Sequence, residues 1–272
     1  MRRLASKPGR TVDGHVARKR YGQNFLADEH FVSKIVAAVD PRPGETVVEI
    51  GPGLGALTGA LIARAGRVVA IEIDRDLAAR LRERFAPEVL DLRVADALAF
   101  DFTTLGRDLR VVGNLPYNIS SPLLFRLAAQ ADAIGDLTVM LQKEVVARMT
   151  AEPGTADYGR LTVMLGATFA IERLFVVPPG AFRPPPKVDS AVARLTPLRE
   201  RAPLIDDPAR FAAIVAAAFS QRRKTLRNAV GGLVAAAQFD AAGIDPQRRG
   251  ETLSVAQFVA LAATTPAPPG GR

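Results

Sequence analysis

Apolar positions along this chain recur in two alternating rhythms. Short apolar-rich runs at 46–50, 67–73, 89–94, 110–113 and 137–141 have the length and β-branched content of buried strands in a parallel sheet. Between them, apolar residues recur three and four apart, as on one face of a helix. Phe31, Ile35, Val36 and Val39 follow Asp28, and Leu77, Leu81 and Phe85 follow Asp74. A further helix is expected over 57–63, another opening at Ser120, Ser121 and Pro122, and another from about Lys143. Asp28 and Asp74 stand where a side-chain oxygen caps a helix, and Pro122 suits a first turn. Pro41-Arg-Pro-Gly44 stops the first helix. Strand, helix, strand, helix in this order implies a parallel sheet covered on both faces.

The rhythm changes after the Gly-containing stretch 152–159. A helix is expected over 161–167, then strands over 169–177 and 190–195, which add an antiparallel edge to the sheet. The proline-rich turn 178–187 between them is expected to be irregular, because proline removes backbone donors. A linker over 197–208 leads to an all-helical pattern at 211–219, 225–234 and 255–263. Four parts follow: a basic flexible arm over 1–14, a sheet domain over 15–200, a helical domain over 201–263, and a Pro/Gly-rich disordered tail over 264–272. Within the second, the polar, aromatic-bearing segment 17–28 shows neither helical nor strand periodicity.

Composition narrows the setting. The chain has 272 residues, 48% of them hydrophobic, enough for one full α/β domain and a smaller one. No apolar run is long enough to span a bilayer, and the basic start does not lead into an apolar segment. Cysteine is absent, which excludes disulfides and thiolate metal sites, and His15 and His30 alone make a metal centre unexpected. A monomer in a reducing cytoplasm is expected. The net charge of +8 is unevenly spread: residues 1–20 hold seven Lys or Arg against the single Asp13, and Arg222-Arg223-Lys224 with Arg227 forms a second cluster. Two basic clusters on a near-neutral body point to a polyanion surface.

Candidate chemistry gathers where the strands end. Val111-Val-Gly-Asn-Leu-Pro-Tyr117 reads as an inner strand breaking into a tight turn, with Gly113 freeing the backbone and Pro116 stiffening it. The Asn114 amide and nearby carbonyls can face a planar amine, with Tyr117 against its ring. Glu49-Ile-Gly-Pro-Gly-Leu-Gly55 occupies a strand-to-helix turn, and Glu72 follows Gly51 by 21 positions, as suits a carboxylate on ribose hydroxyls. Gly51-x-Gly53-x-x-Ala56 also satisfies a loose dinucleotide fingerprint, so a nicotinamide dehydrogenase is the rival. Pro52 counts against it, because it donates no amide where a pyrophosphate needs one. Asp96 ends the third strand, where it can accept an adenine amino group. A ligand with ribose and adenine but no phosphates, such as S-adenosylmethionine, fits better.

Taken together, Arg18-Lys-Arg-Tyr-Gly-Gln-Asn-Phe-Leu26, Glu49 to Gly55, Ile71-Glu-Ile-Asp74, Asp96-Ala-Leu98, Gly113-Asn-Leu-Pro-Tyr-Asn-Ile-Ser120, Phe182-Arg-Pro-Pro-Pro-Lys-Val-Asp-Ser190 and Phe219-Ser-Gln-Arg-Arg-Lys-Thr-Leu-Arg-Asn228 resemble one family. It is the bacterial small-subunit (16S) ribosomal RNA adenine-N6,N6-dimethyltransferase family. The likeness covers nearly all of 14–260; Tyr21 departs from it slightly, standing where Phe is commoner. The resemblance implies a Rossmann-like S-adenosylmethionine-dependent methyltransferase sheet, mostly parallel with an antiparallel edge, and a small C-terminal all-helical domain. It implies dimethylation of two adjacent adenosines near the 3′ end of 16S rRNA, in small-subunit biogenesis. By motif, Asn24, Leu26, Gly51, Glu72, Asp96 and Asn114 line the cofactor site.

For the reaction, the Asn114 side-chain oxygen and the Leu115 carbonyl are expected to accept the two N6–H bonds. That arrangement localises the nitrogen lone pair. Pro116 stiffens the turn, while Tyr117 and Phe182 sandwich the extruded base. Lys19, Arg20, Arg222, Arg223, Lys224 and Arg227 are expected to meet RNA phosphates, the last four at helical spacing. No metal and no membrane enter. Two further readings share the fold: a large-subunit rRNA adenine methyltransferase conferring antibiotic resistance, and a non-catalytic rRNA-binding assembly factor.

Overall fold

The computed structural model describes residues 11–12, 15–16, 23–199 and 205–264. Two short strands, β1 (Thr11–Val12) and β2 (His15–Val16), pair antiparallel, and β3 (Phe25–Leu26) follows. Helix α1 (Glu29–Val39) is capped by Asp28, whose carboxylate accepts from His30 N at 2.9 Å. Then β4 (Val47–Ile50), α2 (Ala56–Ala65), β5 (Val68–Glu72), α3 (Arg75–Arg84) and β6 (Leu90–Val94) alternate as expected. Asp74 caps α3 by accepting from Asp76 N. Next come β7 (Leu109–Asn114), α4 (Ser120–Ala128), β8 (Ile134–Gln142), α5 (Lys143–Met149), α6 (Arg160–Gly166), β9 (Phe169–Val177), β10 (Phe182–Arg183) and β11 (Ser190–Pro197). Helices α7 (Pro208–Ser220), α8 (Leu226–Val230), α9 (Ala236–Ala241) and α10 (Val255–Ala263) complete the described chain.

Seven strands form one sheet in the order β6-β5-β4-β7-β8-β11-β9. From β6 to β8 all neighbours are parallel, and β11 runs antiparallel to β8. The chain lays β5 and β6 on one side of β4, then returns to lay β7 and β8 on the other. Val47, Val48 and Glu49 pair with Arg110, Val111 and Val112, so the ends of β4 and β7 meet where strand order reverses. In open α/β sheets that meeting point opens a crevice for ligands.

Gly113 lies within β7, as the run over 110–113 implies. Its task is space: a Cβ there would sit 2.5 Å from the Ile50 carbonyl oxygen of β4. The proline-rich turn also departs from expectation. Phe182 and Arg183 form β10 and pair with Leu26 and Phe25 of β3, giving regular structure to two segments that show no periodicity. The pairing survives beside prolines because it takes only two residues of each strand.

Two compact units are present: the described parts of 1–146 with 172–197, and of 147–171 with 198–272. The expected boundary near residue 200 therefore misplaces 147–171. The reason is packing: Tyr158, Val163 and Ala167 bury themselves in the helical unit's own core with Phe211, Ile214, Phe239 and Phe258. The Tyr158 hydroxyl donates to Leu253 O at 2.6 Å within that unit. Helix α9 was not expected from the sequence, being six residues long with a single large apolar residue, Phe239. Residues 1–10 and 265–272, most of the expected arm and tail, lie outside the described residues, and Thr264 is the C-cap of α10.

Candidate active site

The crevice at the carboxyl edge of β4, β5, β6 and β7 is a cavity of about 300 Å³. Asn24, Leu26, Gly51, Glu72, Asp96, Asn114, Leu115, Pro116 and Tyr117 all line it. Strand ends deliver most of them: Gly51 follows β4, Glu72 ends β5, Asp96 follows β6 and Asn114 ends β7. Asn24 and Leu26 arrive from the segment around β3.

Its electrostatics are set by buried carboxylates. Glu72 accepts from Gly53 N at 3.2 Å with one oxygen and from Asp74 N at 2.8 Å with the other. Burial raises its pKa above the ordinary carboxylate value, and the two amide donors oppose that rise. Glu49 is 1% exposed and accepts from Thr58 Oγ1 at 2.6 Å. Burial pushes its pKa up to about 7; the Thr58 hydroxyl opposes this and the Glu72 charge adds to it. Asp96 is exposed at the rim and accepts from Leu98 N at 2.9 Å.

The glycine turn uses its own amides. Gly51 N donates to Ile71 O, Gly53 N to Glu72, and Gly55 N to Pro52 O, while Pro52 has no N–H. A phosphate-binding turn needs such amides pointing at the ligand. This turn therefore suits a ligand that brings ribose hydroxyls and no phosphate. Gly53 also needs its missing side chain: with φ at +60°, a Cβ there would lie 2.9 Å from Phe25 Cδ1.

Asn114 is held in one orientation. Its Nδ2 donates to the Asn24 carbonyl at 2.8 Å, and a carbonyl partner requires the NH₂ end of the amide. The side-chain oxygen is thereby left on the other branch of an amide that lines the cavity. Leu115 N donates to Met140 O at 3.1 Å, pinning the turn to β8. Tyr117 shares a hydrogen bond between its hydroxyl and Ser190 Oγ, and burial raises its pKa.

Phe182 corrects the expected constellation. Its side chain is 0% exposed in the core with Leu26, Val177 and Ala181, and it offers no face on which a base could stack. A phenylalanine between prolines reads as a loop aromatic, but β10 turns it inward. The basic residues divide as well. Lys19 and Arg20 lie outside the described residues. Arg222, Arg223 and Lys224 are exposed on a turn between α7 and α8, closed by Lys224 N donating to Gln221 O, and only Arg227 is helical. Arg222 is engaged within its own unit by Glu251 at 2.7 Å and by Thr155 O at 3.1 Å.

Several lining residues escaped the site expected from sequence. Gln23 lines the cavity and donates to Asp74 Oδ2 at 3.1 Å. Ile73 lines it while 43% exposed, an apolar surface at the rim. Its signal was an aliphatic residue directly after Glu72 at a strand end, which apolar periodicity absorbs into the strand.

Sheet order, crevice and acid set define a Rossmann-like methyltransferase fold. Residues 14–265 match the family model described as ribosomal RNA adenine dimethylase, and the chain belongs to that family. It is 60% identical over 247 residues to the ribosomal RNA small subunit methyltransferase A of Aromatoleum aromaticum, covering 91% of this chain and 93% of that protein. Among solved structures, a dimethyladenosine transferase from Plasmodium falciparum is similar with a TM-score of 0.76 and 26% identity, over 87% of this chain and 95% of that one. The 23S rRNA methyltransferase ErmE is similar with a TM-score of 0.65 and 30% identity, over 89% and 99%. Both the family and the fold expected from the motifs are thus borne out.

Proposed function

We propose that the chain transfers methyl groups from S-adenosylmethionine to N6 of two adjacent adenosines in the 3′-terminal hairpin of 16S rRNA, within the cytoplasmic small subunit or its precursor. The observation that carries this reading is the Asn114 amide, clamped by the Asn24 carbonyl at 2.8 Å with its oxygen left for a planar amine. The likeness to small-subunit enzymes at 60% identity favours this substrate over large-subunit RNA.

The residues present fit the methyl donor. Glu72, already anchored by two backbone amides, turns a carboxylate to ribose hydroxyls. Asp96 accepts an adenine amino group at the rim, beside the apolar Ile73. Bound there, the donor supplies an electrophilic methyl on a sulfonium. The adenine N6 lone pair is delocalised into the ring and is a poor nucleophile. Asn114 Oδ1 and the Leu115 carbonyl accept its N–H bonds, localise the lone pair and aim it, so positioning contributes most of the rate. Pro116 holds the turn stiff. Tyr117 stacks on the extruded base, worth about 1–3 kcal/mol, against the few kcal/mol that extrusion costs. The ammonium formed on N6 is acidic and gives its proton to solvent without a strong general base. Phosphate contacts fall to Lys19, Arg20, Arg222, Arg223, Lys224 and Arg227.

The test is transfer of labelled methyl groups to small subunits lacking the dimethyladenosine pair, with naked rRNA and large subunits alongside. About four methyls per small subunit, abolished by Asn114→Ala, are expected. Transfer to large-subunit RNA alone would replace the substrate. Tight particle binding without transfer anywhere would leave an assembly factor.

A further inference from the structure

Tyr117 is fixed twice, once along its backbone and once at the far end of its ring. Leu115 N donates to Met140 O at 3.1 Å, Ile119 N to Pro116 O at 3.1 Å, and Ser120 Oγ to Tyr117 O at 3.0 Å. The turn that carries Tyr117 is therefore closed on itself and tied to β8. A side chain on a fixed backbone still has staggered rotamers to choose from. What selects one here is the hydrogen bond that the Tyr117 hydroxyl shares with Ser190 Oγ. Burial raises the Tyr117 pKa, so the phenol keeps its proton at neutral pH.

The two residues meet because of how the sheet is laid out. Ser190 opens β11 and pairs with Gln142 at the end of β8, and the neighbouring Asp189 O accepts from Lys143 N at 3.0 Å. Strands β7 and β11 lie on opposite sides of β8, about 10 Å apart at ordinary strand spacing, so the turn after β7 and Ser190 come together over the end of β8. Tyr117 lines the cavity, whereas Ser190 is fully buried and does not. We propose that Ser190 is a positioning residue for methyl transfer. Through the shared hydrogen bond it holds the Tyr117 ring in one orientation at the cavity, so that an extruded adenine meets a stacking face already in place. Ordering the ring before the base arrives removes that cost from the reacting complex. This rests on the reading that Tyr117 stacks on the base.

Single-turnover methyl transfer to small subunits lacking the dimethyladenosine pair is measured for wild type, Ser190→Ala, Tyr117→Phe, the double variant and Tyr117→Ala. Loss of either hydroxyl is expected to slow transfer about three- to tenfold. The double variant should be no slower than either single one, since one hydrogen bond is lost in all three. Affinities for S-adenosylhomocysteine and for the particle should stay within about twofold of wild type. The chain has three tyrosines and no tryptophan, so carbon-13 labelling of tyrosine lets each ring be followed. Ser190→Ala should shift the Tyr117 signal and leave that of Tyr158, which donates to Leu253 O in the other unit. A role in sheet packing alone would lower the unfolding midpoint and donor affinity without this pairwise coupling in rate. Should Ser190→Ala fail to fold, Tyr117→Phe removes the same bond from its half-buried partner and carries the test. Loss of either hydroxyl at the wild-type rate overturns the proposal, as does a double variant slowed by the product of the two single effects. Tyr117→Ala is expected to lose at least about tenfold, and its transferring at the wild-type rate would instead sink the stacking reading itself.

Discussion

The sharpest test of the site is Asn114→Asp, because it preserves shape and changes one atom. Asparagine Nδ2 lies 2.8 Å from Asn24 O and donates to it. An aspartate oxygen in that place would confront the carbonyl acceptor to acceptor. One hydrogen bond worth about 1 kcal/mol is lost, and two acceptor oxygens are brought face to face. The carboxylate turns away or β3 moves, and in either case the accepting oxygen no longer sits where the amine arrives. Losing one oriented group of this kind costs about 10²–10³ in rate. A carboxylate is a stronger acceptor than an amide, so simple acceptor strength predicts the opposite outcome.

Single-turnover methyl transfer should therefore place Asn114→Asp beside Asn114→Ala near pH 8, both about 10²–10³ below wild type. Lowering pH toward about 5 should raise Asn114→Asp relative to wild type, because a protonated carboxyl can donate to Asn24 O and restore the clamp. Calorimetry with S-adenosylhomocysteine should show a smaller loss, under about tenfold, since Glu72 and Asp96 are untouched. An Asn114→Asp enzyme with wild-type rate near pH 8 would refute the reasoning: orientation by Asn24 would then not matter.

Three further outcomes follow from other parts of the structure. Gly113→Ala drives a Cβ into the Ile50 carbonyl at 2.5 Å, against backbone that cannot swing aside, and should cost at least about 3 kcal/mol in urea unfolding. The Glu49 carboxyl titrates near 7 in the folded chain against 4.5 as its ordinary value, so the native state holds a proton that the unfolded state releases. Wild-type stability should thus fall as pH rises through that window, and Glu49→Gln, permanently neutral, should gain on it by at most about 3 kcal/mol between pH 5 and 8; an equal difference at both pH values would contradict the linkage. Arg222→Ala breaks a partly exposed pair with Glu251, so stability should change by less than about 1 kcal/mol, while the salt dependence of RNA binding should lose about one unit of slope.

What could be read from sequence was whatever depends on local rhythm. The strand over Phe169–Val177 and the helix over Val255–Ala263 have the bounds that their apolar spacing implies. What could not be read depends on partners distant in sequence. The two-residue ladder joining Phe25–Leu26 to Phe182–Arg183 is too short to carry a period. The assignment of 147–171 to the helical unit rests on Tyr158, Val163 and Ala167 finding Phe211 and Phe258, which no window along the chain contains. Gly113 was read correctly as required and for the wrong reason: its neighbour in space is Ile50, on another strand.

The site divides along the same line. Glu72, Asp96 and Asn114 were legible because each stands at the end of a strand, and parallel strands deliver their ends to one edge whatever the loops between them do. Phe182 was not, because its environment is made by a pairing the sequence does not announce. The same contrast separates the kinds of work in this cavity. The carboxylates and the amide proposed to meet ligand come from the ends of the sheet strands, where a shift of an ångström would break several ladders at once. The wall that orients the amide comes from β3, held by one short ladder and one buried ring. A substitution in the sheet should therefore act first on stability. Truncating Phe182 should also act on stability, by about 3–5 kcal/mol, because its ring shares one core cluster with Val47, Val112 and Met140 of the sheet.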